Sequence, residues 1–139
     1  MTVRAHDIVD IAQACARYSA TITQGDIPGL LSVFTEDGTY SAFGDTYPLP
    51  EFPALVAAAP KGLYLTGTPA ITFTGEDTAT GVTTLALVID RTHDMRIGYY
   101  HDTYVRTGEG WKIRTRSMTF IRRDGEHNSG RPHAYQPGS

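Results

Sequence analysis

Between Ile8 and Ile22 the apolar positions recur every three to four residues. Ile8, Ile11, Ala12, Cys15, Tyr18, Ser19 and Ile22 fall on one stripe. That spacing predicts a helix over residues 7–24, with Asp7 as its N-cap and Gly25 as its stop. Asp26 then caps a short second helix, with Pro28 in its first turn and Leu30, Leu31 and Phe34 on its buried face. Residues 36–38 read as a turn, 39–43 as a short strand, 45–50 as a loop holding two prolines, and 51–59 as a third helix weakened by Pro53.

Beyond Gly62 the hydrophobic period shortens to two. Residues 63–73 predict a strand bent near Gly67 and Pro69. Residues 78–89, 96–106 and 111–122 predict three more, joined by turns at 75–77, 91–94 and 108–110. Such strands form an antiparallel meander. Helices followed by a meander predict an α+β fold. A strongly curved sheet wrapped on a long helix leaves a cone, and small molecules favour concave, mostly apolar places. The polar, Gly- and Pro-rich stretch 124–139 is expected to be a flexible tail behind a domain of residues 1–123.

Composition narrows the picture. A chain of 139 residues, 40% hydrophobic and 19% charged, has material for one core. A net charge of -3 argues against nucleic acid as a partner, because phosphates need a concentrated basic surface. Arg114, Arg116, Arg122 and Arg123 gather along the last strand and are expected to be solvated or paired with acids. Cys15 is the only cysteine, so no internal disulfide forms. With no apolar leader and no run of about 20 apolar residues, a cytoplasmic protein without a membrane span is expected. Neither a metal-ligand spacing nor a glycine-rich phosphate loop is found, so no metal and no cofactor is expected. His93, His127 and His133 sit in polar surroundings and read as solvated.

Two segments carry a resemblance. Residues 25–38, GDIPGLLSVFTEDG, and residues 98–107, GYYHDTYVRT, followed by GWKI at 110–113, resemble the helix-linking segment and last hairpin of SnoaL-like and scytalone-dehydratase-like proteins. These belong to the nuclear-transport-factor-2-like superfamily, and the likeness spans residues 5–123. It implies that superfamily's cone-shaped fold, a curved antiparallel sheet around N-terminal helices. It further implies a small hydrophobic substrate of polyketide, terpenoid or steroid type, handled by cofactor-independent cyclase, isomerase or dehydratase chemistry. The same fold hosts proteins without catalysis, so a non-catalytic binding or assembly module is the alternative. The relatives' Tyr-Asp pair is replaced by Ile22 and Thr23, a further Asp by Ala20, and two histidines by Tyr64 and Ile89. The usual His/Asp dyad is therefore absent.

Strand alternation sets Gly98, Tyr100, Asp102 and Tyr104 on one face and Tyr99, His101, Thr103 and Val105 on the other. The resemblance turns the first set toward the pocket, so His101 and Asp102 cannot act as a pair. Asp102 has two readings, a general base or a salt-bridge partner of Arg116 on the next strand. Tyr64, Tyr100 and Asp102 are the candidate catalytic residues. Tyr18, Thr23, Tyr40, Phe52, Ile89 and Arg116 are the candidate substrate contacts. Tyr18, Tyr64 and Tyr100 are expected to converge at the cone's mouth, where a hydroxyl polarises a carbonyl, or else to pack as core. Trp111 is expected to cap the sheet edge against the second helix. Tyr99, Thr103, Val105, Ile113 and Leu87 are assigned to the sheet's outer face, which is then more apolar than a monomer exposes, so a homodimer is expected.

Overall fold

The apolar stripe of the N-terminal segment winds into α1 (Ala5–Gln24), which buries Ile11, Ala14, Cys15, Tyr18, Ser19 and Thr21. The computed structural model describes residues 4–42 and 44–129, with only the backbone at residue 129. Phe43 and the segment 130–139, with His133, lie outside the described residues. Gly25, at φ 75°, takes the left-handed conformation that ends α1. The Asp26 side chain accepts from Gly29 N–H at 3.0 Å and caps α2 (Ile27–Ser32). Asp7 is not a cap. It lies in the first turn of α1, and the N-cap position belongs to Arg4.

Eight strands follow: β1 (Phe34–Ala42), β2 (Asp45–Pro48), β3 (Gly62–Thr66), β4 (Ala70–Phe73), β5 (Thr78–Ile89), β6 (Met95–Thr107), β7 (Gly110–Ile121) and β8 (His127–Ser129). A 3-10 turn (Leu49–Glu51) and α3 (Phe52–Ala58) separate β2 from β3. The sheet runs β2-β1-β7-β6-β5-β3, with β4 also on β5 and β8 also on β7. Every pairing is antiparallel except β1 with β7.

Several local expectations are corrected. Phe34 opens β1 rather than closing α2, and the expected turn at 36–38 lies inside β1, absorbed by a register shift between Phe34 and Thr39. The expected loop at 45–50 holds β2, which pairs with β1. The bent strand 63–73 divides into β3 and β4 around Pro69, which has no N–H to give a ladder. Part of the expected tail is ordered. Gly125, at φ 90°, turns the chain so that residues 127–129 pair with β7.

Register decides which side chains face the core. On β5 the odd residues Ala79, Thr83, Leu85 and Leu87 are buried. On β6 the even residues Tyr100, Asp102 and Tyr104 are buried. A bulge at Arg114 brings Ile113 opposite Tyr104 instead of Val105, so Ile113 turns inward and is fully buried. Leu87 and Ile113 are thus core residues, and their assignment to the outer face is corrected.

One end of the sheet is fastened to the start of α1. Asp7 accepts from Arg106 Nη1 at 2.8 Å, Arg106 Nη2 at 3.0 Å, Trp111 Nε1 at 3.0 Å and Arg4 Nε at 3.0 Å. The Trp111 ring meets Phe73 of β4 and the Arg106 guanidinium. Trp111 therefore packs against α1 and β4, not against α2. The bonds from Arg106, then Trp111, hold the Asp7 carboxyl well below its ordinary value of 3.8. A lowered folded-state pKa contributes stability that is complete above the unfolded value and is lost as pH falls toward the folded one. Wild-type protein should thus lose melting temperature more steeply than Asp7→Asn between about pH 4 and about pH 2. Parallel curves for the two proteins would show that the clasp contributes nothing.

Candidate functional site

The β6–β7 register places Asp102 opposite Arg116, both pointing inward. Arg116 Nε donates to Asp102 Oδ1 at 2.8 Å and Nη2 donates to Oδ2 at 2.8 Å. The Tyr104 hydroxyl donates to Oδ2 at 2.9 Å. Both side chains of the ion pair have 0% exposure. Of the two readings of Asp102, the geometry is that of the ion pair, with both carboxylate oxygens engaged. Sequence reasoning missed Tyr104 as third partner, although alternation already put it on the Asp102 face.

The guanidinium lies over the Tyr100 ring at 4.0 Å and the Tyr18 ring at 4.4 Å. Nη2 also approaches Cys15 Sγ at 3.7 Å. Nη1 is buried with no hydrogen-bond partner among the described residues. Burial opposes the charge on Arg116, but the Asp102 carboxylate more than offsets it and holds the pKa well above its ordinary value. Burial pushes the hydroxyls of Tyr18, Tyr40 and Tyr100 upward. All three stay protonated and are able to donate.

Two other arginines of that basic cluster are also engaged. Arg114 pairs with Asp37 at 3.0 Å, and Arg122 lies over the Phe120 ring. His101 faces outward and is exposed, opposite in sense to Asp102. His127 is exposed too, and its Nδ1 shares a hydrogen bond with the Tyr99 hydroxyl at 2.8 Å.

A cleft of about 480 Å³ opens between the end of α1, the start of α2, α3 and β3. Ile22, Pro53 and Val56 give it apolar walls, while Lys61 and Asp90 supply charge. Of the nine candidate residues, Thr23 and Tyr64 line this cleft. Thr23 Oγ1 accepts from Tyr64 N–H at 3.1 Å, so the two fasten α1 to β3. The Tyr64 hydroxyl donates to the Pro60 carbonyl at 3.1 Å, and burial raises its pKa.

The remaining candidates do not line the cleft. Tyr18 and Tyr100 meet edge to face at 5.7 Å within the core, beside the ion pair. Phe52 packs on Phe34 at 4.9 Å and on Tyr40 at 6.4 Å. Ile89 is half-buried opposite Gly62. The expected meeting of Tyr18, Tyr64 and Tyr100 at the mouth is corrected: Tyr18 and Tyr100 are deep, and Tyr64 stands in the cleft wall. Lys61 and Asp90 were missed because they come from the junctions beside β3 and β5, which carry no periodic signal, and Val56 because α3, at seven residues, is too short to carry one.

Among the described residues no group of three or more His, Cys, Asp or Glu could hold a metal ion. No helix of the described residues is long and apolar enough to cross a membrane.

The sequence profile described as a SnoaL-like domain matches residues 3–117. No curated protein matches the chain. Solved structures do. Rv3472, a Mycobacterium tuberculosis protein of unknown function, is 27% identical, with a TM-score of 0.74 over 84% of this chain and 73% of its own. A candidate scytalone dehydratase from Novosphingobium aromaticivorans is 16% identical, with a TM-score of 0.75 over 94% of this chain and 95% of its own. An NTF2-like protein with a cystatin-like fold, also from Novosphingobium aromaticivorans, is 24% identical, with a TM-score of 0.68 over 80% and 79%. The last two likenesses establish the fold, the α+β cone expected from the helix-then-meander order.

Proposed function

The chain belongs to the SnoaL-like domain family, which includes cyclases and dehydratases, and from that premise we propose that it binds a small, largely apolar molecule at the wide end of its cone, by recognition rather than acid–base turnover. The observation that carries this reading is the state of Asp102. It is the one buried carboxylate among the described residues, and both its oxygens are taken by Arg116 and Tyr104. A general base needs a free lone pair aimed at the proton it removes. The histidines among the described residues, His6, His93, His101 and His127, are all exposed and offer no substitute inside the core.

The second reading is a cofactor-independent cyclase, isomerase or dehydratase acting on a polyketide-, terpenoid- or steroid-like molecule. The tyrosines favour it, since Tyr64 and Tyr100 are held protonated and able to polarise a carbonyl. One experiment separates the two. Polycyclic ketones and alcohols are screened by thermal shift, and each binder is then incubated with the protein and followed by mass spectrometry. A bound molecule recovered unchanged supports the binding reading; a new product overturns it. Val56→Trp fills the cleft and should abolish the shift, which at 100 times Kd corresponds to roughly 2.7 kcal/mol. A shift that survives Val56→Trp would place the ligand elsewhere.

The protein works as a homodimer in this reading, joined through the outer face of the sheet. Leu63, Val88 and Met95 form one cross-strand apolar row there, and Leu65, Ala86, Ile97 and Ile121 form another. Leu65 at 52%, Met95 at 62% and Ile97 at 42% are more exposed than isolated surface residues of their size need be. Light scattering at micromolar concentration should give twice the chain mass, and Leu65→Lys with Ile97→Lys should halve it. A monomeric wild type would refute the dimer.

A further inference from the structure

The outer face of the sheet is free of fixed charge. From the row Leu63, Val88 and Met95 to the row Thr72, Thr80, Thr103 and Thr115, the outward positions of β3 to β7 include no Asp, Glu, Lys or Arg, although 19% of the chain is charged. Charge returns only at the margins, with Asp90 past the end of β5, Lys112 opposite Val105, and Arg114 paired to Asp37. Depletion of charge marks the centre of an interface. The area, about 20 Å across four strands and about 30 Å along them, approaches the ~800 Å² that each partner of a stable pair buries.

This face has two unlike ends. Leu63, Leu65, Met95 and Ile97 stand exposed at one end as an apolar ridge. At the other end is an open hollow of about 370 Å³, whose lining includes Ala70, Thr72, Val82, His101, Thr103 and Ser117. The Thr103 and Thr115 hydroxyls bond to one another at 2.7 Å and so accept an apolar cover at little cost. Along β6, Tyr99 lies midway between Ile97 of the ridge and His101 of the hollow. A two-fold axis near Tyr99 lays the ridge of one copy in the hollow of the other, an isologous contact in which every pairing occurs twice.

We infer that His101 puts this dimer under pH control: the neutral imidazole lies beneath the partner's ridge, and its protonated form drives the two copies apart. The inference rests on the homodimer reading above and adds its register and its regulation. No described group around His101 supplies a counter-charge. β5 presents Thr80, Val82 and Thr84 to it, β7 presents Thr115, Ser117 and Thr119, β4 presents Ala70 and Thr72, and β1 presents Thr39 and Ser41 beyond β7. On β6 itself the Tyr99 ring stands at 5.4 Å and Thr103 follows. Behind the sheet, Asp102 is already neutralised by Arg116. His127 bonds to the Tyr99 hydroxyl from β8, where it is exposed to water at the rim. In the free chain His101 is exposed, and water solvates its charge. Under a ridge of Leu, Met and Ile side chains nothing does. The separated copies thus bind more protons than the dimer, and association weakens as pH falls through the range near about 6.5 where imidazoles ionise.

The test is the dimer dissociation constant of the full chain, measured by sedimentation equilibrium at about pH 8 and about pH 5. The Asp7 clasp still holds across that span, and circular dichroism at each pH checks the fold. An imidazole that ionises at its ordinary pH and must be neutral in the dimer raises Kd roughly 30-fold between the two conditions, and the two of a dimer raise it roughly a thousandfold. His101→Gln should bring the ratio of the two constants to about one, whatever its own affinity. His127→Gln should keep the wild-type ratio. A wild-type dimer with equal Kd at both pH values overturns the inference and leaves the dimer reading intact. A pH dependence that survives His101→Gln, or that disappears with His127→Gln, also overturns it. A wild type that is monomeric at both pH values overturns the inference and the dimer reading together.

Discussion

Asp102→Asn should destabilise the protein by about 3–5 kcal/mol, measured as a fall in the denaturation midpoint at unchanged slope. The substitution keeps the shape of the side chain and removes its charge. Arg116 then keeps a full positive charge at 0% exposure, with no counter-ion in hydrogen-bond reach. Taking one partner from a buried pair costs far more than taking both, because the desolvated survivor is no longer compensated. The double variant Arg116→Met with Asp102→Leu should therefore lie closer to wild type than Asp102→Asn does. If Asp102 were a general base instead, Asp102→Asn would leave the midpoint in place and remove about 10²–10⁴-fold of turnover. An unchanged midpoint would refute the structural role assigned to the pair.

Trp111→Ala should cost about 3–5 kcal/mol as well, by a different route. The indole is 5% exposed, packs on Phe73 and lies beneath the Arg106 guanidinium. Its removal opens a cavity where β7 begins and takes the Nε1 donor from Asp7. Trp111→Phe separates these contributions: it restores much of the volume and still lacks the N–H. Phe should therefore recover most, but not all, of the loss. A Trp111→Ala protein that melts like wild type would mean that the contact between α1 and the sheet carries little of the fold's stability.

Much of the architecture was legible in the chain itself. The change of hydrophobic period from three-to-four to two after Gly62 set helices before strands, because each period follows from backbone geometry alone. Gly25 and Asp26 marked the junction of α1 and α2, where a left-handed residue and a capping carboxylate are local requirements. Alternation along β6 separated His101 from Asp102 and so ruled out their partnership before any distance was known. The segments at 25–38 and 98–113 marked the family, since they match its sequence pattern.

What the sequence left open depended on register and on junctions. Whether Asp102 was a base or an ion-pair partner turned on whether Arg116 stood directly opposite, a relation between two strands that neither strand encodes alone. The bulge at Arg114 reversed the sense of β7, so that Ile113 went from an expected surface position to the core; one extra residue inverts a two-residue period. The cleft is lined by residues of α3 and of the junctions beside β3 and β5, such as Val56, Lys61 and Asp90, whose proximity exists only once the elements dock.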